Sequence, residues 1–166
     1  MRSICVWGLF VCATFAVSAR GQGQQSQVGT WKMDAAQSNM GSGPASRSVT
    51  LTILQDAPSM LSWRVQFVDD SGKSMSFSWS GPQDGSMHSV MLNGKEFRKE
   101  STKKQADGTL LRHGEFPNGT SFDAYSRTSV DGNTMTDDIT VRANDGKESK
   151  QKVVYHRVMG NSGVGK

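Results

Sequence analysis

Leu61-Ser62-Trp63-Arg64-Val65-Gln66-Phe67-Val68-Asp69-Asp70-Ser71-Gly72-Lys73-Ser74-Met75-Ser76-Phe77-Ser78-Trp79-Ser80 reads as two strands and the turn between them. Large apolar side chains occupy every second position on both sides of Asp69-Asp70-Ser71-Gly72, and Ser, Arg and Gln fill the positions between. A period of two with one apolar face is the pattern of half-buried antiparallel strands. Upstream, Val49, Leu51 and Ile53 alternate with Ser48, Thr50 and Thr52 in the same way. Downstream the alternation weakens, but the punctuation continues. Gly follows Ser, Asp or Asn at Ser71-Gly72, Asp84-Gly85, Asn93-Gly94, Asp107-Gly108, Asn118-Gly119, Asp131-Gly132 and Asp145-Gly146. Both residues of an Asx-Gly step tolerate positive φ, so these steps are expected to join sequential hairpins.

About ten strands result: Gly29 to Met33, Ser48 to Ile53, Leu61 to Phe67, Ser74 to Ser80, Met87 to Leu92, Lys95 to Lys104, Thr109 to Phe116, Thr120 to Thr128, Thr134 to Arg142 and Lys147 to Val158. No amphipathic helix is long enough to cover so large a sheet, which must curl on itself or split. Sequential hairpins favour an all-β, antiparallel up-and-down barrel of 8–10 strands over a β-sandwich, because a Greek key needs a long return connection. Only residues 34 to 47 offer one. Within that segment, Asp34 to Ser38 could form one helical turn capped by Asp34.

The first residues have a separate logic. Arg2 followed by the apolar run Ile4 to Val17, and then by Val17-Ser18-Ala19, has the charge, length and small residues of a cleavable export signal over 1–19. That run is shorter than the roughly 20 residues a membrane-spanning helix needs. A soluble, secreted or periplasmic protein without stable membrane insertion is the expectation. Residues 20–27 read as a polar leader, 28–158 as one barrel domain and 159–166 as a Gly-rich tail. Both cysteines, Cys5 and Cys12, fall in the expected signal, so the mature chain would hold no disulfide, thiol nucleophile or Cys-bound zinc.

The sequence holds 19 Lys and Arg against 15 Asp and Glu. That excess is mild. Lys95, Arg98, Lys99, Lys103 and Lys104 cluster but alternate with Glu96 and Glu100, as on a solvated hairpin, and export argues against nucleic acid as a partner. Chemistry-bearing motifs are absent or incomplete. Gly160-Asn161-Ser162-Gly163-Val164-Gly165-Lys166 has the spacing of a phosphate-binding loop without the Ser or Thr after Lys that holds Mg²⁺. His88, His113 and His156 fall on three strands with no metal-ligand spacing. Asp69-Asp70 and Asp137-Asp138 are adjacent pairs, which strand geometry splits to opposite faces. Neither a catalytic residue, a metal site nor a cofactor is expected.

Gly29-x-Trp31 in the first strand and Tyr155-His156-Arg157 in the last resemble the lipocalin pattern. Through Gly29-Thr30-Trp31-Lys32-Met33-Asp34, Gly43-Pro44 and Val154-Tyr155-x-Arg157, nearly the whole mature chain is similar to a group of lipocalin-like exported bacterial proteins, mostly uncharacterised. The resemblance implies that Trp31 packs across the closed end of the barrel with Arg157 over its ring, Gly29 standing beside them. By that resemblance these three residues close the barrel, and Trp31 and Arg157 are a structural pair and not a catalytic one.

The aromatic face Trp63, Phe67, Phe77 and Trp79, with Met75 beside it, is either core or the lining of a pocket. Tyr125 and Arg127 would add polar contacts if their face is the internal one. The expected function is therefore non-covalent binding of a small apolar or amphipathic ligand by a monomeric barrel. The alternative is a structural or interaction module of the cell envelope whose barrel is filled.

Overall fold

The computed structural model describes residues 26–41 and 46–159. Ten strands run β1 (Gly29–Met33), β2 (Ser46–Ala57), β3 (Met60–Asp69), β4 (Ser74–Gly81), β5 (Asp84–Leu92), β6 (Lys95–Lys104), β7 (Leu110–Glu115), β8 (Ser121–Thr128), β9 (Thr134–Arg142) and β10 (Glu148–Arg157). Each pairs antiparallel with its sequence neighbours, and β1 pairs with β10, so the sheet closes on itself as an up-and-down, lipocalin-like barrel. The sandwich alternative is thereby excluded. Residues 1–19, read above as an export signal, and the segment 160–166 with its phosphate-loop spacing lie outside the described residues, as does the expected leader except for Ser26 and Gln27.

Turn chemistry sets the register. Five hairpins share one arrangement, in which the residue before the turn accepts from a Gly amide three positions on: Gly72 to Asp69 O, Gly108 to Gln105 O, Gly119 to Phe116 O, Gly132 to Ser129 O and Gly146 to Ala143 O, at 2.9 to 3.0 Å. Asn93-Gly94 makes the tighter two-residue turn, with φ of 48° and 85°, the conformation that matches strand twist. Asp84-Gly85 departs from the sequence expectation. It lies inside β5 at a register shift before Met87, and Pro82-Gln83 makes the connection instead. Asp34 does not cap a helix; its Oδ1 accepts from the amides of Ala36 and Gln37 in a turn.

One seam is incompletely knit. β4 and β5 share only the pairs Phe77↔Leu92 and Ser78↔Met91. Towards the β4–β5 connection the strands diverge, and Trp79 fills the wedge: its ring lies 6.1 Å from His88, edge to face, and its Nε1 donates to Glu100 O at 3.1 Å. A Cβ on Gly81 would lie 2.9 Å from both Trp79 and His88, so this packing needs a glycine.

The end of the barrel formed by the β2–β3, β4–β5, β6–β7 and β8–β9 connections is closed. Trp31 is fully buried there, and its Nε1 donates to Gln27 O at 3.0 Å. Gln27, which the sequence reading places in the polar leader, is buried and bonded: its amide donates to Asp56 and its Nε2 to Thr128. One backbone amide of the leader thus satisfies a buried carboxylate, which local polarity alone does not reveal. Asp56 also accepts from Gln83 Nε2 at 2.9 Å and Lys104 Nζ at 3.0 Å. Burial pushes the Asp56 carboxyl up, but the bonds from Gln83, Lys104 and Gln27 outweigh it and hold it below the usual carboxylate range.

A depressed folded-state pKa makes a stability contribution that is present above the unfolded value, about 3.9, and lost as pH falls through the folded one. Urea midpoints measured between about pH 5 and pH 2 are therefore expected to fall less steeply for Asp56→Asn than for the parent protein. Equal slopes would show that this carboxylate contributes nothing to acid sensitivity.

Candidate functional site

Period-two rows from seven strands point into the barrel. Val49, Leu51 and Ile53 of β2, Leu61 and Trp63 of β3, Trp79, Val90, Leu110, Met135, Val153 and Tyr155 are buried in one cluster, with Val65, Phe67, Phe77 and Ile139 packed against it. Inside this apolar shell sits a charged group. Glu100 is fully buried, and its two oxygens are divided between two guanidiniums: Oε2 accepts from Arg98 Nη2 at 2.8 Å and Oε1 from Arg112 Nε at 2.9 Å. Arg112 Nη1 then donates to Asp137 Oδ2 at 3.2 Å. Its Cζ lies 5.6 Å from the Trp63 ring centroid, near enough for a cation–π contact.

The alternation of each strand explains the placement. Glu100 and Thr102 on β6, Arg112 next to Leu110 on β7, and Asp137 next to Met135 on β9 all occupy the inward phase. Burial pushes the Asp137 carboxyl above its usual range, with Arg112 opposing. Burial likewise raises the Tyr155 hydroxyl beside it, and Asp137 adds to that shift. Arg112 is held firmly protonated: burial alone would lower it, and Glu100 and Asp137 more than compensate.

Beneath the charged group lies a cavity of about 40 Å³, lined by Leu51, Ile53, Leu61, Val65, Leu110 and Met135 on its apolar side. Gln27, Trp63, Arg112, Ser126 and Asp137 form its polar side. Trp63 Nε1, Gln27 Oε1, Ser126 Oγ and Asp137 Oδ1 are buried there without a hydrogen-bond partner among the described residues. Buried polar groups are nearly always paired, and an unpaired one costs about 1–3 kcal/mol, so four around one cavity make it the candidate place for a polar guest, water included. A volume of this size holds a few waters or a small head group, since one water needs roughly 10–15 Å³ of such space.

The opposite end is ringed by phenylalanines. Phe67, Phe77, Phe97, Phe116 and Phe122 form a chain of ring contacts with centroids 5.3 to 6.3 Å apart. Arg98 reaches into this collar, its Cζ 5.2 to 5.9 Å from the rings of Phe122, Phe116 and Phe97. A bulge places Phe97 as the extra residue between the pairs Val90↔Arg98 and Met91↔Glu96, which lets Phe97 and Arg98 both approach the collar. Phe122 lies flat over Gly114, where a Cβ would come within 2.1 Å of the ring.

The residues nominated from sequence are thus dispersed. Trp63 lines the cavity. Phe67 and Phe77 belong to the collar, and Met75 stands opposite Phe67 at the same end. Trp79 stacks at 6.4 Å on Trp63 but serves the β4–β5 seam. Tyr125 and Arg127 are not in the interior. On β8 the inward phase belongs to Phe122, Ala124 and Ser126, so Tyr125 is exposed and Arg127 pairs outside with Asp138 at 2.9 Å. Tyr125 lines a shallow outer groove of about 360 Å³ with Asn39, Asp138, Lys150 and Lys152.

The basic run also divides, since Arg98 and Lys104 turn inward to Glu100 and Asp56. Each of the three imidazoles has separate neighbours: Ser86 for His88, Asp123 and Glu115 for His113, Asp34 and Gln37 for His156. Asp123 raises the His113 pKa, with Glu115 assisting against partial burial. Among the described residues no group of three His, Cys, Asp or Glu is arranged to hold a metal ion.

Sequence reasoning missed Gln27, Arg98, Glu100, Arg112, Ser126 and Asp137. The signal was present as polar residues in the apolar phase of weakly alternating strands.

Gly29, Trp31 and Arg157 meet at the closed end. Arg157 Cζ lies 4.1 Å from the Trp31 ring centroid, and its guanidinium donates to Gly132 O, Val28 O and Ser26 O at 2.6 to 2.9 Å. A Cβ on Gly29 would lie 2.9 Å from Arg157 Nη1.

The sequence matches no protein-family model and no curated protein. Solved structures do resemble the barrel. A crystal structure of an Asn-to-Gln variant of the fluorescent protein UnaG aligns with a TM-score of 0.51 at 14% identity, over 79% of this chain and 95% of that one. An Asn-to-Ala variant of the same protein gives 0.50 at 13% identity, over 80% and 96%. At such identities the likeness is one of fold.

Proposed function

We propose that this protein is a non-covalent carrier or receptor of a small amphipathic molecule, exported by the signal over 1–19, with no reaction attached to binding. The polar end of the ligand enters the cavity against Trp63, Gln27, Arg112 and Asp137, and the apolar end follows the inward row Val65 and Phe67 to the phenylalanine collar. The observation that carries this reading is the convergence of four unpaired buried polar atoms on one cavity inside an aromatic-mouthed barrel. The likeness to a fluorescent protein in fold is compatible with it and adds no ligand identity.

One observation favours a second reading. The cavity of about 40 Å³ is far below the 300–1,000 Å³ of ordinary small-molecule sites. A whole ligand therefore requires the collar to part, whereas an envelope interaction module needs no opening at all.

Native mass spectrometry of protein purified from its own host separates the two readings. The carrier reading expects a small-molecule adduct that is absent from Trp63→Ala. Protein at its bare mass in every preparation, together with failure to take up any amphipathic probe, would leave the filled-barrel module standing.

A further inference from the structure

Resting on that reading, we infer that the cavity selects a ligand whose head group is uncharged and carries a hydrogen-bond donor beside an acceptor, of the primary-amide class, in preference to a carboxylate or an ammonium group. The argument is an inventory of charge and of hydrogen-bonding capacity.

The charged groups are matched inside the barrel. Glu100 gives one oxygen to each guanidinium, and Arg112 is shared between Glu100 and Asp137, so two cations face two carboxylates. A ligand carboxylate brought to Arg112 would meet Asp137 and Glu100 as well, and a ligand ammonium would meet Arg112. Either adds an uncompensated charge to a buried site, and a buried charge without its own partner is costly.

The unpaired atoms specify what is wanted instead. Trp63 Nε1 can only donate, Gln27 Oε1 can only accept, and Asp137 Oδ1 accepts as the second oxygen of the carboxylate that pairs with Arg112. Ser126 Oγ can do either. All four side chains are more than nine-tenths buried. An amide satisfies this set with its carbonyl on Trp63 Nε1 and its N–H groups on Gln27 and Asp137. A carboxylate has no N–H to offer, and an ammonium has no acceptor for Trp63. A head of three heavy atoms also suits the cavity, while a tail extends towards the collar.

The test uses the full mature protein and three probes of equal chain length: decanamide, decanoate and decylammonium, each titrated by isothermal calorimetry with intrinsic Trp fluorescence as a second readout. Decanamide is expected to bind at least about tenfold more tightly than either charged probe, because each charged head leaves a buried polar group of the site unpaired. Asp137→Asn removes one negative charge at unchanged size and should shift the preference towards decanoate by a similar factor. Trp63→Phe, which keeps an aromatic ring and deletes the donor, should weaken decanamide and leave decylammonium, which has no acceptor for it, unchanged.

If decanoate or decylammonium binds the unmodified protein as tightly as decanamide, the head-group inference is overturned while the carrier reading survives. If none of the three binds up to its solubility limit, the carrier reading itself falls. The unmodified protein alone decides between these outcomes should either variant fail to fold.

Discussion

Glu100→Gln is expected to destabilise the barrel by about 3–5 kcal/mol in urea denaturation, the cost of breaking a buried ion pair on one side. Glu100 is fully buried and holds two guanidiniums apart by bonding one with each oxygen. The substitution preserves volume. It removes the charge and turns an N–H donor towards one of two groups that can themselves only donate, leaving either Arg98 Nη2 or Arg112 Nε without its acceptor and two cations facing Asp137 alone. Replacing the whole group by apolar residues, with Arg98→Met, Glu100→Leu, Arg112→Met and Asp137→Leu together, is expected to recover most of that loss, because a buried ionic network is seldom more stabilising than well-packed hydrophobes.

The comparison separates two roles. If the network existed for stability, the apolar barrel would be the weaker protein. If it exists to furnish a polar site, the apolar barrel will fold and fail to bind decanamide. A loss below about 1 kcal/mol for Glu100→Gln would instead mean that water reaches the group and screens it, as it does for surface pairs.

The barrel was legible in the sequence because its evidence is local. Alternation in residues 48–53, 61–67 and 74–80 names an inward face directly, and Gly72, Gly94, Gly108, Gly119, Gly132 and Gly146 stand at hairpins because a positive φ is required there. Gly85 has the same φ, yet it serves an irregularity within β5. Backbone conformation was therefore readable, and its use was not.

The site was hidden for a related reason. Alternation assigns a face only when the two phases differ in polarity, and in β6, β7 and β9 the inward phase contains Glu100, Thr102, Arg112 and Asp137. These residues look solvated until the strands on either side show that their partners are inside too. Tyr125 and Arg127 were open to either face for the same lack of contrast, and Ala124 and Ser126, small and unremarkable, are the ones that turn inward. A charge in an interior depends on partners distant in sequence: Arg112 and Asp137 are 25 residues apart.

Trp31→Ala should be as costly as any single substitution in the chain. Removing a buried Trp side chain typically loses about 3–5 kcal/mol, and the cation–π contact with Arg157 adds roughly 0.5–2 kcal/mol according to how well it is shielded from water. The geometry puts this contact towards the upper part of that range, since Trp31 has no exposed surface and the guanidinium stands 4.1 Å above the ring. Arg157 would keep its three carbonyl partners at Gly132, Val28 and Ser26, so the substitution opens a cavity at the closed end without freeing the strand seam. Urea midpoints measure the loss, and probe titration of the folded fraction measures what the closed end contributes to binding. Gln27 connects Trp31 to the cavity, accepting from Trp31 through its backbone carbonyl and presenting Oε1 to the cavity. Its backbone amide remains fixed by Asp56 and its Nε2 by Thr128 whether or not the indole is present. Decanamide affinity in the folded fraction should therefore survive Trp31→Ala and be lost in Trp63→Ala. The reverse order would place the ligand against Trp31 instead of Trp63.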